Sequence, residues 1–327
     1  MTNNESKTLV IFPGQGSQYP GIGSDLYEAY ATARDVYKQA SDVLGYDIAE
    51  LSFKDSDSQI NMTRFTQPVL LTHSIACLEV FKELTANTVQ AQLAAGHSLG
   101  EYSALVAAGS LKFETALGLV KTRGELMGEH GEGEMEALPF DLETAKPLAE
   151  KYYCAVAACN LPEQTVAGGR SEDLDKLVTD INENFPNKRT ARLKTEGAFH
   201  TYYMVKAAQL FREHLDAAEF ISPEIDVLSN YSGDLHDVEP DSIRAKLFLQ
   251  LFYPVLWHAN LQTAAGKGAN RIIEFGGGLG KGESPAEKRP NLEGIVKKTF
   301  RRSEHKSEYH SVINIESLEK TVQALTT

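Results

Sequence analysis

The sequence predicts an α/β protein built on a largely parallel sheet and interrupted by a smaller unit of its own strand order. Three observations carry that expectation. Short β-branched and apolar runs alternate with longer helical stretches through the first 130 or so positions, the pattern of strands joined by crossover helices. Glycines bracket a serine at Gly96-His97-Ser98-Leu99-Gly100, between an apolar run and a helical one. Between about Glu132 and Glu196 the pattern changes to short strand-like pieces separated by two helical stretches. A chain of 327 residues, 42% hydrophobic, has room for one large domain with a small one inserted.

Taken in order, Thr8-Leu9-Val10-Ile11-Phe12 reads as a buried strand that ends in a tight loop at Pro13-Gly14. Residues 24–44 and 67–84 read as helices. The second is expected to start at Thr66, placing Pro68 in its first turn, where the missing N–H costs least. Residues 89–95 are short and apolar enough for a strand, residues 101–108 follow as a helix, and residues 112–127 continue helical. Strand, turn and helix around G-x-S-x-G are the setting of a nucleophile elbow, which lifts the serine hydroxyl out of the sheet. Leu99 then offers a backbone N–H at the positive end of a helix, suited to a developing oxyanion. The large domain is therefore expected to be α/β-hydrolase-like, formed by residues 1–130 and 198–327.

The intervening residues 131–197 supply strand-like pieces at 135–138, 155–158, 164–167 and 190–194, with helices at 142–151 and 171–183. This β-α-β-β-α-β order is that of a ferredoxin-like subdomain. Inserted in the larger domain, it leaves a cleft between the two.

Composition narrows the partners. A net charge of −13 disfavours nucleic acid, whose phosphates most of the surface would repel. Two local basic stretches stand against it. Residues 281–306 carry Lys281, Lys288, Arg289, Lys297, Lys298, Arg301, Arg302 and Lys306 against four glutamates, and Lys188, Arg189, Arg192 and Lys194 form a shorter cluster. Each is a solvated face unless an anionic partner is demanded. No apolar run approaches the roughly 18 residues of a membrane span, and the first residues lack a signal-peptide layout, so no membrane partner and a cytoplasmic location are expected. Cys77, Cys154 and Cys159 form no Cys-x-x-Cys pair and read as packing residues, with no metal site indicated.

A serine nucleophile needs a base. Of the nine histidines, His200 in Gly197-Ala198-Phe199-His200-Thr201 falls where the insert ends and the chain re-enters the large domain, beside the cleft. His97 adjoins Ser98, and a neighbour on a sharp turn points away from it.

These residues resemble the malonyl-CoA:acyl carrier protein transacylase family, over most of residues 8–275. Phe12-Pro13-Gly14-Gln15-Gly16-Ser17-Gln18 is similar to its N-terminal loop, Thr66-Gln67-Pro68 to its helix start, and Gly96 to Glu101 to its elbow. Arg123-Gly124 with Met127, Asn160-x-Pro162-x-Gln164, Gly197 to His200, Ser229-Asn230, and Gln250 ahead of Pro254-Val255-x-Trp257 fall in the same order and spacing.

The resemblance implies Ser98 as nucleophile, His200 as base, and the N–H groups of Gln15 and Leu99 as oxyanion hole. No Asp is required as a third member, because in the family a backbone carbonyl near the position of Gln250 orients the imidazole. Arg123 is implied to pair with the substrate carboxylate, which a neutral acyl group could not satisfy, and His97 and Asn160 to contact substrate. Phe199 accompanies malonyl in relatives, where a serine accompanies methylmalonyl. The implied reaction moves malonyl from malonyl-CoA to the phosphopantetheine thiol of an acyl carrier protein, free-standing or within a polyketide synthase, with no bound cofactor. Fatty acid and polyketide synthesis both stay open; the Gly-Ala-Phe-His form and the unusual end of the chain lean towards a stand-alone polyketide enzyme acting in trans. An acyl hydrolase of the same fold and a non-catalytic carrier-binding homologue are the alternatives, while Arg123 and the Thr66 and Asn160 segments disfavour a general esterase.

The resemblance weakens near the end. Glu274-Phe275-Gly276-Gly277-Gly278 has Gly277 where the family has proline, and Leu292 to Lys298 follows only after an apparent insertion of about a dozen residues. Gly276 to Lys281 is not a P-loop: Phe275 takes the first glycine position and no Ser or Thr follows Lys281.

Overall fold

The computed structural model describes residues 6–301 and 303–326. Its strands, in chain order, are β1 Lys7–Phe12, β2 Leu93–Gly96, β3 Glu134–Leu138, β4 Ala155–Leu161, β5 Gln164–Gly169, β6 Ala191–Leu193, β7 Asp226–Val227, β8 Ala269–Phe275 and β9 Glu308–Val312. One sheet runs β7-β2-β1-β8-β9 with every neighbouring pair parallel. Helices cover both faces, so β1 is apolar without alternation and Leu9, Ile11 and Phe12 are fully buried. The small residues of β2 admit helix Gly100–Ala107, which packs on β1 and β2 directly behind the elbow.

The second sheet runs β4-β5-β3-β6, all antiparallel, with helices Leu142–Glu150 and Ser171–Asn184 closing a separate small core around Leu138, Leu174, Leu177 and Ile181. This is the ferredoxin-like order expected for the insert. Its β4 is tied to the large domain by two backbone bonds, Cys159 N–H to the Val255 carbonyl at 2.8 Å and Val255 N–H to that of Ala157 at 2.9 Å. The other face of this sheet, carrying Met135, Ala158, Val166 and Leu193, turns towards the elbow and walls the cleft.

Several expected elements shift. Residues 24–44 form two helices, Ser24–Ala29 and Ala31–Leu44, broken at Tyr30 in extended geometry. Arg34 Nη1 donates to the Tyr27 and Glu28 carbonyls at this break. The helix expected from Thr66 starts at Thr63 and runs to Leu84, so Pro68 lies inside it. The extra turn is held by a distant group, since the Glu196 carboxylate accepts the Thr63 N–H, and a cap 133 positions away is invisible to local sequence rules. The strand expected at 89–95 is shorter and ends one residue later, at Gly96. All three cysteines are free and buried.

The inserted segment is a strap with its own bonds. Leu279 and Arg289 exchange two 2.9 Å backbone hydrogen bonds, and Lys288 Nζ donates to the Gly280 and Gly282 carbonyls while lying over the Tyr19 ring. Gly277 sits at φ 69°, a region closed to proline with its φ near −65°, which accounts for the departure from the family pattern. Its N–H donates to His73 Nδ1 at 3.0 Å, and the next N–H, of Gly278, reaches the Ser17 carbonyl at 2.8 Å. The strap therefore seals against the loop after β1. Beneath it, Glu274 accepts from the Asn291 and Leu292 N–H groups and the Tyr309 hydroxyl; burial nevertheless pushes its pKa up to about 7.

Candidate active site

The turn after β2 is as tight as the sequence demands. A Cβ on Gly96 would lie 1.8 Å from the Gly100 carbonyl carbon, so no side chain fits there. Ser98 takes φ 54° and His200 φ 59°, left-handed conformations that persist in non-glycine residues only where the surroundings enforce them. Asn230 does so at the elbow: its Oδ1 accepts the Ser98 N–H at 2.6 Å and its Nδ2 donates to the Gly96 carbonyl at 2.7 Å.

Ser98 Oγ and His200 Nε2 are 2.7 Å apart, and His200 Nδ1 lies 2.6 Å from the Gln250 carbonyl. A carbonyl oxygen only accepts, so Nδ1 carries the proton and Nε2 is left as the acceptor for the serine hydroxyl. Burial, and secondarily the positive charge of Arg123, pushes the His200 pKa down to about 3. The imidazole is therefore neutral and able to take a proton at physiological pH. The backbone N–H groups of Gln15 and Leu99 make no hydrogen bond among the described residues, and both residues line the cavity that Ser98 faces. The Gln15 side chain is steadied by Thr63, 3.2 Å from its Nε2.

Arg123 is 1% exposed. Its Nη1 donates to Gln67 Oε1 at 2.7 Å, and its Nη2 to Gln250 Oε1 at 3.0 Å and Ser98 Oγ at 3.2 Å. Burial lowers its pKa, and the guanidinium keeps its charge. Amide oxygens orient that charge without cancelling it. His97 turns away from Ser98 to Asn160, 2.8 Å from Nε2 to Oδ1, and packs edge-on against Trp257. Phe199, 6% exposed, adjoins His200 on the wall.

These residues surround one cavity of about 610 Å³, lined by Gln15, His97, Ser98, Leu99, Arg123, Asn160, Phe199 and His200 together with Met127 and the small-sheet residues Met135, Ala158, Val166 and Leu193. Gln250 lies behind it, 0% exposed. Three further residues have places in the site that sequence reading left without a role: Gln67 and Asn230, whose only signal was a place in the Thr66 and Ser229 motifs, and Glu101, the last residue of the elbow motif.

The basic stretches divide. Arg192, expected in a basic patch, instead pairs with Glu134, Glu136 and Asp175, the last two at 2.7 Å; β6 sets it beside acidic residues of β3, so its charge is spent inside the subdomain. Lys288 holds the strap, and Lys297 pairs with Glu293 at 2.5 Å. Arg189, Lys298 and Arg301 remain free of ion pairs among the described residues and line a second groove of about 470 Å³. Arg302 lies outside the described residues. No helix among them is long and apolar enough to cross a membrane.

Fold and site together define a class: an α/β protein whose elbow serine, hydrogen-bonded to a histidine from a separate segment and beside two backbone N–H groups unpaired among the described residues, is arranged for acyl transfer. The chain belongs to the acyl transferase domain family, which matches residues 9–274. It is 37% identical over 306 residues to the malonyl CoA-acyl carrier protein transacylase of Bacillus subtilis, covering 91% of this chain and 92% of that protein. Among solved structures it resembles the malonyl CoA-acyl carrier protein transacylase of Clostridium perfringens, with a TM-score of 0.87 and 31% identity over 98% of this chain and 97% of that one. It also resembles a malonyl-transacylase solved in complex with a type II polyketide acyl-carrier protein, with a TM-score of 0.86 and 29% identity over 98% of this chain and 100% of that one.

Proposed function

We propose that this chain transfers a malonyl group from malonyl-CoA to the phosphopantetheine thiol of an acyl carrier protein through a malonyl ester on Ser98. The observation that carries this reading is Arg123, a buried and unneutralised cation 3.2 Å from Ser98 Oγ. It fits an acyl group that ends in a carboxylate, which would pair bidentately with the guanidinium.

In the first half-reaction His200 Nε2 takes the Ser98 proton as Oγ attacks the thioester carbonyl. The tetrahedral oxyanion is held by the N–H groups of Gln15 and Leu99. The C–S bond then breaks, and the imidazolium returns its proton to the departing CoA sulfur. The second half-reaction runs in reverse, with the carrier thiol as nucleophile and Ser98 as leaving group. His97 and Asn160 line the approach to the thioester. The ring of Phe199 crowds the position of a methyl branch on the α-carbon, a discrimination worth about 1 to 3 kcal/mol.

The carrier reaches the site along the small sheet. Alternation in strands places Met135 and Leu193 on the same face as Ala137 and Ala191, so the groove lined by Ala137, Ala191, Arg189, Lys298 and Arg301 continues the cleft outwards. Its three cations outweigh Glu163, which lines the same groove, and suit an acidic carrier. Lys298→Glu with Arg301→Glu is expected to raise the KM for the carrier while leaving Ser98 acylation by malonyl-pantetheine unchanged.

Mass spectrometry after mixing with malonyl-CoA tests the core of the proposal: one malonyl adduct on the peptide containing Ser98, discharged by holo-carrier faster than by water. An unmodified Ser98 under turnover would overturn the mechanism, and release of free malonate faster than transfer would make the protein a hydrolase.

A further inference from the structure

Among the described residues Arg123 has no direct carboxylate partner, yet a buried cation without any counter-charge is costly. The nearest anion in its bonded network is Glu101, whose side chain is fully buried. One group separates them. The Gln250 amide accepts from Arg123 Nη2 through Oε1 at 3.0 Å and donates through Nε2 to Glu101 Oε2 at 2.8 Å and to the Ser98 carbonyl at 2.9 Å. Glu101 is itself held at both oxygens: Oε2 also accepts the Asn230 N–H at 3.1 Å, and Oε1 accepts His236 Nε2 at 2.6 Å.

The arrangement has one consistent polarity. An ionised carboxylate only accepts and a guanidinium only donates, so only a group with an acceptor at one end and donors at the other bridges them. Reversing the amide would set its NH₂ against Arg123 and its oxygen against Glu101. The same residue's backbone carbonyl holds His200 Nδ1, and Asn230, which also rests on Glu101, holds the Ser98 N–H. Base, elbow and arginine thus converge on a single buried carboxylate that touches none of the reacting atoms.

We propose that Glu101, anchored by His236, is a positioning residue and the displaced counter-ion of Arg123, held one amide away so that the guanidinium stays open to a substrate carboxylate. In direct contact it would occupy the place that substrate takes; were it absent, nothing charged would fix the polarity of Gln250. This inference rests on the reading of Arg123 as the carboxylate-binding residue.

The test moves the charge without changing the shapes. In the double variant Glu101→Gln with Gln250→Glu, the side chain at 250 still accepts from Arg123 and the amide at 101 supplies donors towards it; the bonds to the Ser98 carbonyl and from the Asn230 N–H are lost, which affects both thioesters alike, and the carboxylate now lies directly on Arg123. Single-turnover acylation of Ser98 is measured with malonyl-CoA and acetyl-CoA, and circular dichroism checks folding. The expected result is a fall of at least about tenfold in the malonyl to acetyl ratio, from competition between two carboxylates for one guanidinium. An unchanged ratio overturns the proposal. Where the double variant does not fold, Glu101→Gln alone is read: losing the anion is expected to lower the KM for malonyl-CoA several-fold while kcat falls, and a fall in kcat at unchanged KM would reduce Glu101 to a structural residue and overturn the inference. Arg123→Ala, run in parallel, separates the two levels. If that variant keeps the wild-type ratio, the reading of Arg123 fails and takes this inference with it; if it loses the ratio while the double variant keeps it, only the inference falls.

Discussion

Two arginines in this molecule have opposite surroundings. Arg123, in the cleft of the large domain, is fully buried and held by the amide oxygens of Gln67 and Gln250. Arg192, on the small sheet, is about one-third exposed and pairs with three carboxylates. The pKa of the first is lowered by burial; at the second, hydrogen bonds to Glu136, Asp175 and Glu134 outweigh desolvation and raise it. The usual rule that charges are buried only when paired is obeyed by the more exposed residue and suspended at the less exposed one. A buried guanidinium oriented by neutral groups stores unspent attraction for an anion, whereas one ringed by carboxylates has already discharged it into the fold.

The largest expected effect follows from that contrast. Arg123→Ala should lower kcat/KM for malonyl-CoA by about 100- to 1,000-fold, as for the loss of one partner from a buried charge pair, and should change acylation by acetyl-CoA far less. Arg192→Ala should leave the malonyl to acetyl ratio at its wild-type value. Competition assays with both thioesters measure the two variants side by side, and a shift in ratio at Arg192 would refute the division between them.

Resemblance sets Arg123 apart as the carboxylate-binding residue, but nothing local in the sequence shows which of the two charges is already paired. Each sits among charged neighbours along the chain, and proximity in sequence groups Arg192 with Lys188, Arg189 and Lys194 in a basic cluster. What cancels its charge comes from strand pairing, since β3 lies beside β6 with Glu136 opposite Arg192 in register. Elements with strong local signals were legible: the apolar run of β1, the glycines of the elbow, and the strand and helix order of the insert. The helix start at Thr63 was not, because its cap is Glu196. In the candidate site, resemblance drew attention to Ser98, His200, Arg123 and Gln250, which the structure brings together from four separate segments. Glu101 and Asn230 escaped assignment because their places rest on contacts spanning more than 125 positions, and no periodicity encodes those.

A second consequence concerns pH. The His200 pKa is pushed down to about 3, by burial first and by the Arg123 charge second. A lowered histidine pKa means that protonation, and with it loss of the base, sets in only as pH falls towards that value. Ser98 acylation by a short-lived pulse of malonyl-CoA should therefore hold nearly level from pH 8 to pH 5, where an ordinary imidazole of pKa about 6.5 would lose more than tenfold. Arg123→Ala removes one of the depressing charges, so its acid limb, read with acetyl-CoA, should move to higher pH. Arg192→Ala should not move it. A wild-type limb near 6.5 would show that water reaches His200 in the working enzyme.

The smallest effect is on stability, and here the roles reverse. Arg192→Ala leaves Glu136, whose side chain is 4% exposed, as a buried carboxylate with its 2.7 Å partner gone, while Glu134 and Asp175 are exposed enough to turn to water. Only the Glu136 pair should carry appreciable energy, since exposed ion pairs contribute about 0 to 1 kcal/mol. The expected loss is therefore about 1 to 3 kcal/mol, set by the cost of an unsatisfied buried group, and urea denaturation at low and high salt measures it. Glu136→Gln in the Arg192→Ala background should recover part of that loss, because the amide removes the unpaired charge while keeping the shape. In the wild-type background the same substitution should be destabilising. That change of sign across a double-mutant cycle is what distinguishes an arginine neutralised by the fold from one, like Arg123, whose charge the fold has left for something else to meet.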